Sequence, residues 1–278
     1  MTDRRALLRV HAERRGSTEM SRELTIPSGD TRLFALEDPG GDPAVLFLSG
    51  GFGTVQNWNR VVSGLAAKHR AVRFDARARG KSGRSADYTA QAAVEDVGRV
   101  IDATGIERPI LVGWSYGATI AVRYAAQQPR RVGGLVLVDG AYPISMFDEA
   151  GKQKVRAQFR RLGWMMRILA AFGRSARMSP AESADVVIEM DAVNGELRAD
   201  FAALECPAVF VLGTGGHSGA TDEEMRTVRA AVSDAVETNP RVSVFATAPR
   251  KHTQILSKAP ETVVAAIEDV VETVSLRA

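Results

Sequence analysis

The chain has 278 residues, of which 45% are hydrophobic and 25% charged, with a formal net charge of +3 and a pI near 9.2. That balance suits a globular chain with a sizeable core, and the sequence holds no apolar run of the ~18 residues a transmembrane helix needs. A single cysteine, Cys206, excludes an internal disulfide and, with no secretory signal at the N-terminus, points to a cytoplasmic protein. Cys206 precedes Pro207 and an apolar run, so it reads as structural. The basic residues are scattered and lack the aromatic interleaving of nucleic-acid surfaces. Neither nucleic acid nor a membrane is an expected partner.

In chain order, residues 1–21 form an Arg-rich extension without strand pattern, expected to be dispensable. From there strand-like runs fall at Glu23–Ile26, Thr31–Glu37, Ala44–Leu48, Ala71–Phe74, Ile110–Val112, Gly134–Val138, Ala208–Leu212 and Val242–Ala246. Helix-like runs lie between or after them at Trp58–Lys68, Thr89–Thr104, Thr119–Gln128, Asp222–Val236 and Pro260–Val274. The later strands are apolar throughout, as in parallel sheets covered on both faces. Strands joined by turns, then strand–helix–strand units, predict a mostly parallel eight-stranded sheet with helices on both sides. Residues 140–205 break the alternation and read as helices, hence a cap inserted into a core of residues 22–139 and 206–278. Within the cap, Val155, Phe159, Leu162, Met166 and Leu169 make one helical stripe. Met165, Ile168 and Phe172, with Trp164 alongside, make a second. Either both stripes are buried, or one lines an apolar substrate pocket to which Trp114 also contributes. Arg156, Arg160, Arg161 and Arg167 fall on the solvated face.

The chemistry centres on Gly113-Trp114-Ser115-Tyr116-Gly117, between a short apolar strand and a helix. A strand turning sharply into a helix strains the middle residue, and flanking glycines give it room. The turn displays the Ser115 hydroxyl at a helix N-terminus, where developing negative charge is favoured. A serine needs a base. Of the four histidines, His11 and His69 read as surface residues, and His217 lies in the loop Gly215-Gly216-His217-Ser218-Gly219. His252 follows the last strand, at the sheet edge that displays Ser115, and is the expected base.

These features resemble the α/β-hydrolase fold superfamily, from about residue 22 to the end. The carriers are Leu48-Ser49-Gly50-Gly51-Phe52-Gly53-Thr54, Asp75-Ala76-Arg77-Ala78-Arg79-Gly80-Lys81-Ser82, the Gly113–Gly117 elbow, and His252. The second is similar to the family's Asp-x-Arg-Gly-x-Gly-x-Ser turn, here read with an extra Arg-Ala and with Asp75 as a structural turn residue. In the first, Ser49 stands where the family usually has histidine. The resemblance implies an oxyanion hole from the N–H groups of Gly51 and Tyr116, or Phe52 after a one-residue shift. The family's usual acid position, in Gly213-Thr214-Gly215-Gly216, holds no carboxylate. A variation known in the resembled family takes the acid from the end of the preceding strand, which implies Asp139 here, with Asp222 as the alternative. The expected activity is cofactor-independent serine hydrolysis of a small apolar ester, lactone or thioester, without a metal, by a monomer or homodimer. Carbon–carbon bond hydrolysis, lyase, cyclase or acyl-transfer chemistry with the same triad is the alternative, and a non-catalytic ligand-binding protein is the third.

Overall fold

An eight-stranded sheet runs through the computed structural model, which describes residues 21–171, 176–215 and 221–276. Its strands are β1 (Arg22–Ser28), β2 (Thr31–Asp38), β3 (Gly41–Leu48), β4 (His69–Phe74), β5 (Ile110–Trp114), β6 (Gly134–Val138), β7 (Ala208–Gly213) and β8 (Val242–Ala248). They lie in the order β1-β2-β4-β3-β5-β6-β7-β8. β2 pairs antiparallel with β1 and β4, and all other pairings are parallel. The Arg-rich extension through residue 20, with His11, lies outside the described residues.

The helices are α1 (Asn59–Gly64), α2 (Ala90–Thr104), α3 (Tyr116–Gln127), α4 (Glu149–Ala171), α5 (Pro180–Ala203), α6 (Asp222–Thr238), α7 (Ile255–Lys258) and α8 (Pro260–Ser275). Local chemistry sets several of their ends. The Thr89 side chain accepts the Ala92 N–H at 3.3 Å to cap α2, and Gly105 ends it at φ +62°. Ser179 and Glu182 form a reciprocal capping box at the start of α5, with Pro180 in its first turn. One expected helix is shorter than its apolar pattern suggested. Trp58–Lys68 yields only α1, because Ala66 and Ala67 take φ of +50° and +58° as the chain reverses into β4. No helix of the described residues is long and apolar enough to cross a membrane.

The central strands are apolar on both sides because both faces of the sheet are covered. Alternate residues Val45, Phe47, Ile110, Val112, Val136 and Val138 join a core with Val61, Ile255, Val263 and Ile267 from α1, α7 and α8. Their neighbours Leu46, Leu111, Leu135 and Leu137 join the opposite core with Val97, Ile120, Leu197 and Phe201 from α2, α3 and α5. α4 and α5 make up most of the interval between β6 and β7; α5 packs on α3, and α4 packs on α5.

The loop after β4 is held by buried charge. Asp75 accepts the N–H groups of Val55 and Lys81 at 2.8 Å each, which ties the loop after β3 to this turn. Its structural reading stands on those two bonds. The turn contains no insertion: Ala78 takes φ +60°, the conformation for which the first glycine of the family pattern is suited, so Asp75–Ser82 fit that pattern residue for residue. The extra Arg-Ala read from the sequence is therefore a misreading, caused by an alanine in a glycine's position. Arg77 forms a bidentate pair with Asp96 at 2.9 Å on each arm, and both residues are buried. Asp96→Ala leaves that guanidinium buried without its counter-charge and is expected to cost about 3–5 kcal/mol of stability, read as a fall in the chemical-denaturation midpoint. Unchanged stability would show that the pair contributes no net stabilisation.

Candidate active site

Five strand ends converge on one edge of the sheet, the C-terminal edge of its parallel strands. β3 leads into Ser49–Thr54, β5 into Ser115, β6 into Asp139, β7 ends at Gly213, and β8 leads towards His252. Open parallel sheets place their ligand crevices at this edge.

Ser115 lies at φ +56°, ψ −122°, between the end of β5 and the first residue of α3. Left-handed φ at a residue with a side chain is strained, and such strain gathers at functional sites. The elbow tolerates it through its glycines. A Cβ on Gly113 would collide with the Ala118 backbone, and one on Gly117 with the Leu48 carbonyl. The Ser115 N–H bonds to the Val138 carbonyl at 3.0 Å, anchoring the elbow to the strand that carries Asp139.

His252 begins a short 3-10 turn after β8, and its Nδ1 lies 2.8 Å from Asp139 Oδ2. A carboxylate can only accept, so Nδ1 carries the proton and Nε2 is the basic nitrogen. Asp139 is buried at φ +48° on the end of β6. Its Oδ1 accepts the Tyr142 hydroxyl at 2.5 Å and the Gly213 N–H at 3.0 Å. Burial first, then the neighbouring Asp139 charge, holds the Tyr142 phenol well above its ordinary pKa, so it remains a donor at neutral pH. Ser115 and His252 line one cavity of about 510 Å³, together with Gly51, Phe52, Gln56 and Trp114.

The glycine loop is folded around the neighbouring indole. The Gly53 N–H closes a turn on the Gly50 carbonyl at 2.9 Å. A Cβ on Gly50 or Gly53 would lie 3.1–3.3 Å from the Trp114 ring, which in turn sits 5.3 Å from the His252 ring. Ser49, in the usual histidine's place, accepts the Trp58 indole N–H at 3.0 Å and donates to the Thr54 carbonyl at 3.2 Å. Tyr116, the residue after Ser115, is the first of α3, with its ring buried.

Several expected positions differ. Trp164, Met165 and Ile168 are exposed on α4 and do not line the cavity, because the other stripe of the helix turns inward. Phe159 of that stripe meets Phe52 of the glycine loop at 5.7 Å between ring centroids. Of the arginines read as solvated, Arg160 and Arg161 are exposed, whereas Arg156 is half-buried and lies 3.8 Å from Asp185. His69 is buried rather than superficial; its Nδ1 lies 3.2 Å from the Pro43 carbonyl, at the start of β4 and so at the far edge from Ser115. His217 and Phe172 lie outside the described residues, as does the side chain of Asp222, which opens α6. Burial pushes the Cys206 thiol up to about 11, which keeps it unreactive at neutral pH. Among the described residues, no group of three or more His, Cys, Asp or Glu is arranged to hold a metal ion.

Two partners of Asp139 were not anticipated: Tyr142 and the Gly213 N–H. No motif in the sequence singles either of them out, although each sits where the folded geometry needs it. Tyr142 follows Asp139 by three residues, and the glycine at 213 leaves space that a Cβ would lose, at 2.9 Å from Asp139 Oδ2.

The sheet order and the elbow define an α/β-hydrolase fold, and residues 43–180 match the family described by that name. The chain belongs to the α/β-hydrolase superfamily. It is 34% identical over 155 residues to the 2-hydroxymuconate semialdehyde hydrolase of Pseudomonas sp. strain CF600, covering 52% of this chain and 54% of that protein. It is 32% identical over 138 residues to the esterase Rv0045c of Mycobacterium tuberculosis, covering 49% and 46%. The chain thus spans about half the length of these curated relatives. The enol-lactonase of Burkholderia xenovorans LB400 superposes with a TM-score of 0.70 over 90% of this chain and all of that one, at 18% identity, a likeness of fold.

Proposed function

We propose that the chain is a serine hydrolase that cleaves an ester, lactone or thioester bearing an apolar group, through an acyl-enzyme on Ser115. The observation that carries this reading is the strained Ser115 sharing a cavity with His252, whose Nδ1 is 2.8 Å from Asp139. His252 Nε2 takes the Ser115 proton, and Ser115 Oγ forms a bond to the substrate carbonyl carbon. Asp139 orients the ring and offsets the imidazolium charge. The resulting oxyanion is received by the N–H of Tyr116 and that of Gly51, with Phe52 as the alternative loop donor. Each such donor is worth about 2.7–4 kcal/mol in other hydrolases. The leaving group departs with the proton from His252; water then attacks the acyl carbon, giving its proton to His252, and Ser115 recovers it as the acid leaves. Trp114 and Phe52 supply the apolar wall, and α4, whose Phe159 meets Phe52, forms the cap. Some chemistries use the same triad on carbon–carbon bonds, and the name of the Pseudomonas relative favours that as the second reading.

The test pairs a fluorophosphonate probe with a series of 4-nitrophenyl acyl esters, phenyl thioesters and lactones. Wild-type protein should take up the probe at Ser115 and turn over at least one of these classes. Hydrolysis of vinylogous diketones, with the esters untouched, would favour the second reading. No labelling and no turnover would reject hydrolysis.

A further inference from the structure

Arg79 is a buried guanidinium whose bonds run to main-chain carbonyls. Its Nε donates to the Gly51 carbonyl at 2.9 Å and its Nη1 to the Arg77 carbonyl at 2.7 Å. No carboxylate among the described residues pairs with it. Asp96, whose charge it feels, is occupied by the two arms of Arg77. Its other electrostatic neighbours are the phenols of Tyr116 and Tyr88, and burial pushes its pKa down. Such a site costs desolvation without a counter-ion, so the fold gains something other than an ion pair from it.

The bond to Gly51 indicates what is gained. A peptide plane is rigid, with its C=O and N–H pointing opposite ways. Holding the Gly51 carbonyl therefore sets the direction of the Phe52 N–H on the same plane. The preceding plane, which carries the Gly51 N–H, is held by the Gly53 N–H on the Gly50 carbonyl. Both candidate loop donors depend on this turn, and Arg79 is its outside anchor. The anchor is itself latched. Arg177, in the segment joining α4 to α5, donates its main-chain N–H to the Ala78 carbonyl at 2.7 Å and Nη1 to the Gly80 carbonyl at 2.5 Å; Nη2 bonds to the Ser82 carbonyl. Ala176, Met178 and Val186 close an apolar cluster over Ala78, with Phe52 and Tyr88 packed against it.

We propose that Arg79 is a positioning residue for the oxyanion loop, which it holds in register through the Gly51 carbonyl. It leaves an unneutralised positive charge behind that loop and ties it, through Arg177, to the helical insertion. This role rests on the serine-hydrolase reading above. A fixed donor stabilises charge only as it develops, so its loss falls on the transition state and spares ground-state binding. A guanidinium can meet two carbonyls in one plane, which an ammonium on a different stem cannot reproduce.

Arg79→Met is expected to lower kcat for a 4-nitrophenyl ester by about 10- to 100-fold with KM within about threefold. Fluorophosphonate labelling should slow in parallel, while thermal melting confirms a folded protein. Arg177→Met should move kcat in the same direction by a smaller factor. If Arg79→Met does not fold, Arg79→Lys carries the test, with a several-fold fall in kcat at constant KM. Wild-type kcat in the folded variant, or a loss confined to KM, overturns the proposal and leaves the hydrolase reading in place. Wild-type protein that neither labels nor turns over ester fails at the hydrolase reading itself.

Discussion

Ser115→Ala is expected to abolish fluorophosphonate labelling and to lower ester turnover by about 10⁵- to 10⁶-fold while the protein remains folded. The size follows from the absence of any substitute nucleophile: alanine leaves the histidine, its carboxylate and the oxyanion donors intact with nothing to deliver. Donors and binding alone still leave about 10³–10⁴ over water. The melting temperature should hold or rise, since φ of +56° at Ser115 makes the residue a site of strain rather than of stability. The readings are label incorporation, kcat under saturating ester, and a thermal melt. A folded alanine variant that still labels at wild-type rate would move the nucleophile elsewhere.

Asp139→Asn should reduce kcat by about 10⁴-fold with little change in melting. The direction can be derived from the hydrogen bonds. Two donors, the Tyr142 hydroxyl and the Gly213 N–H, converge on Oδ1, so an asparagine places its carbonyl oxygen there. Its NH₂ then occupies the Oδ2 position opposite His252 Nδ1. An NH₂ can only donate, so Nδ1 must become the acceptor and the proton shifts to Nε2, the nitrogen that has to receive the serine proton. The base is therefore blocked rather than merely misaligned. Asp222→Asn, measured beside it, should leave kcat within about twofold; the reverse outcome would transfer the acid role to α6.

The two variants also separate what was legible in the sequence from what was not. Ser115 and the strand-to-helix elbow follow from local pattern, because the steric need for small neighbours is written within five residues. The doubly apolar runs at Ala44–Leu48, Ile110–Val112 and Gly134–Val138 announce a sheet covered on both faces, and that is where these strands lie. Asp139 was legible as a candidate acid only through the family resemblance, whose usual acid position holds glycines here. Its partners were not, because Tyr142 and Gly213 owe their place to positive φ at Asp139 and to the β6–β7 register. The apolar surface of α4 misled for a related reason. Periodicity assigns residues to stripes but says nothing of which stripe turns inward, so Trp164, Met165 and Ile168 looked like pocket lining and are exposed.

Hydrophobic period, glycine spacing and capping residues act over a few neighbours, and from them the chain by itself determined its eight strands, its elbow and the candidate nucleophile. The pairing of His252 with Asp139 across 113 residues, the burial of Arg79 against Gly51, and the inward turn of Phe159 were decided only by tertiary structure. Each joins segments distant in sequence, and whether such segments meet depends on how the sheet orders its strands and how the helices close over its edge.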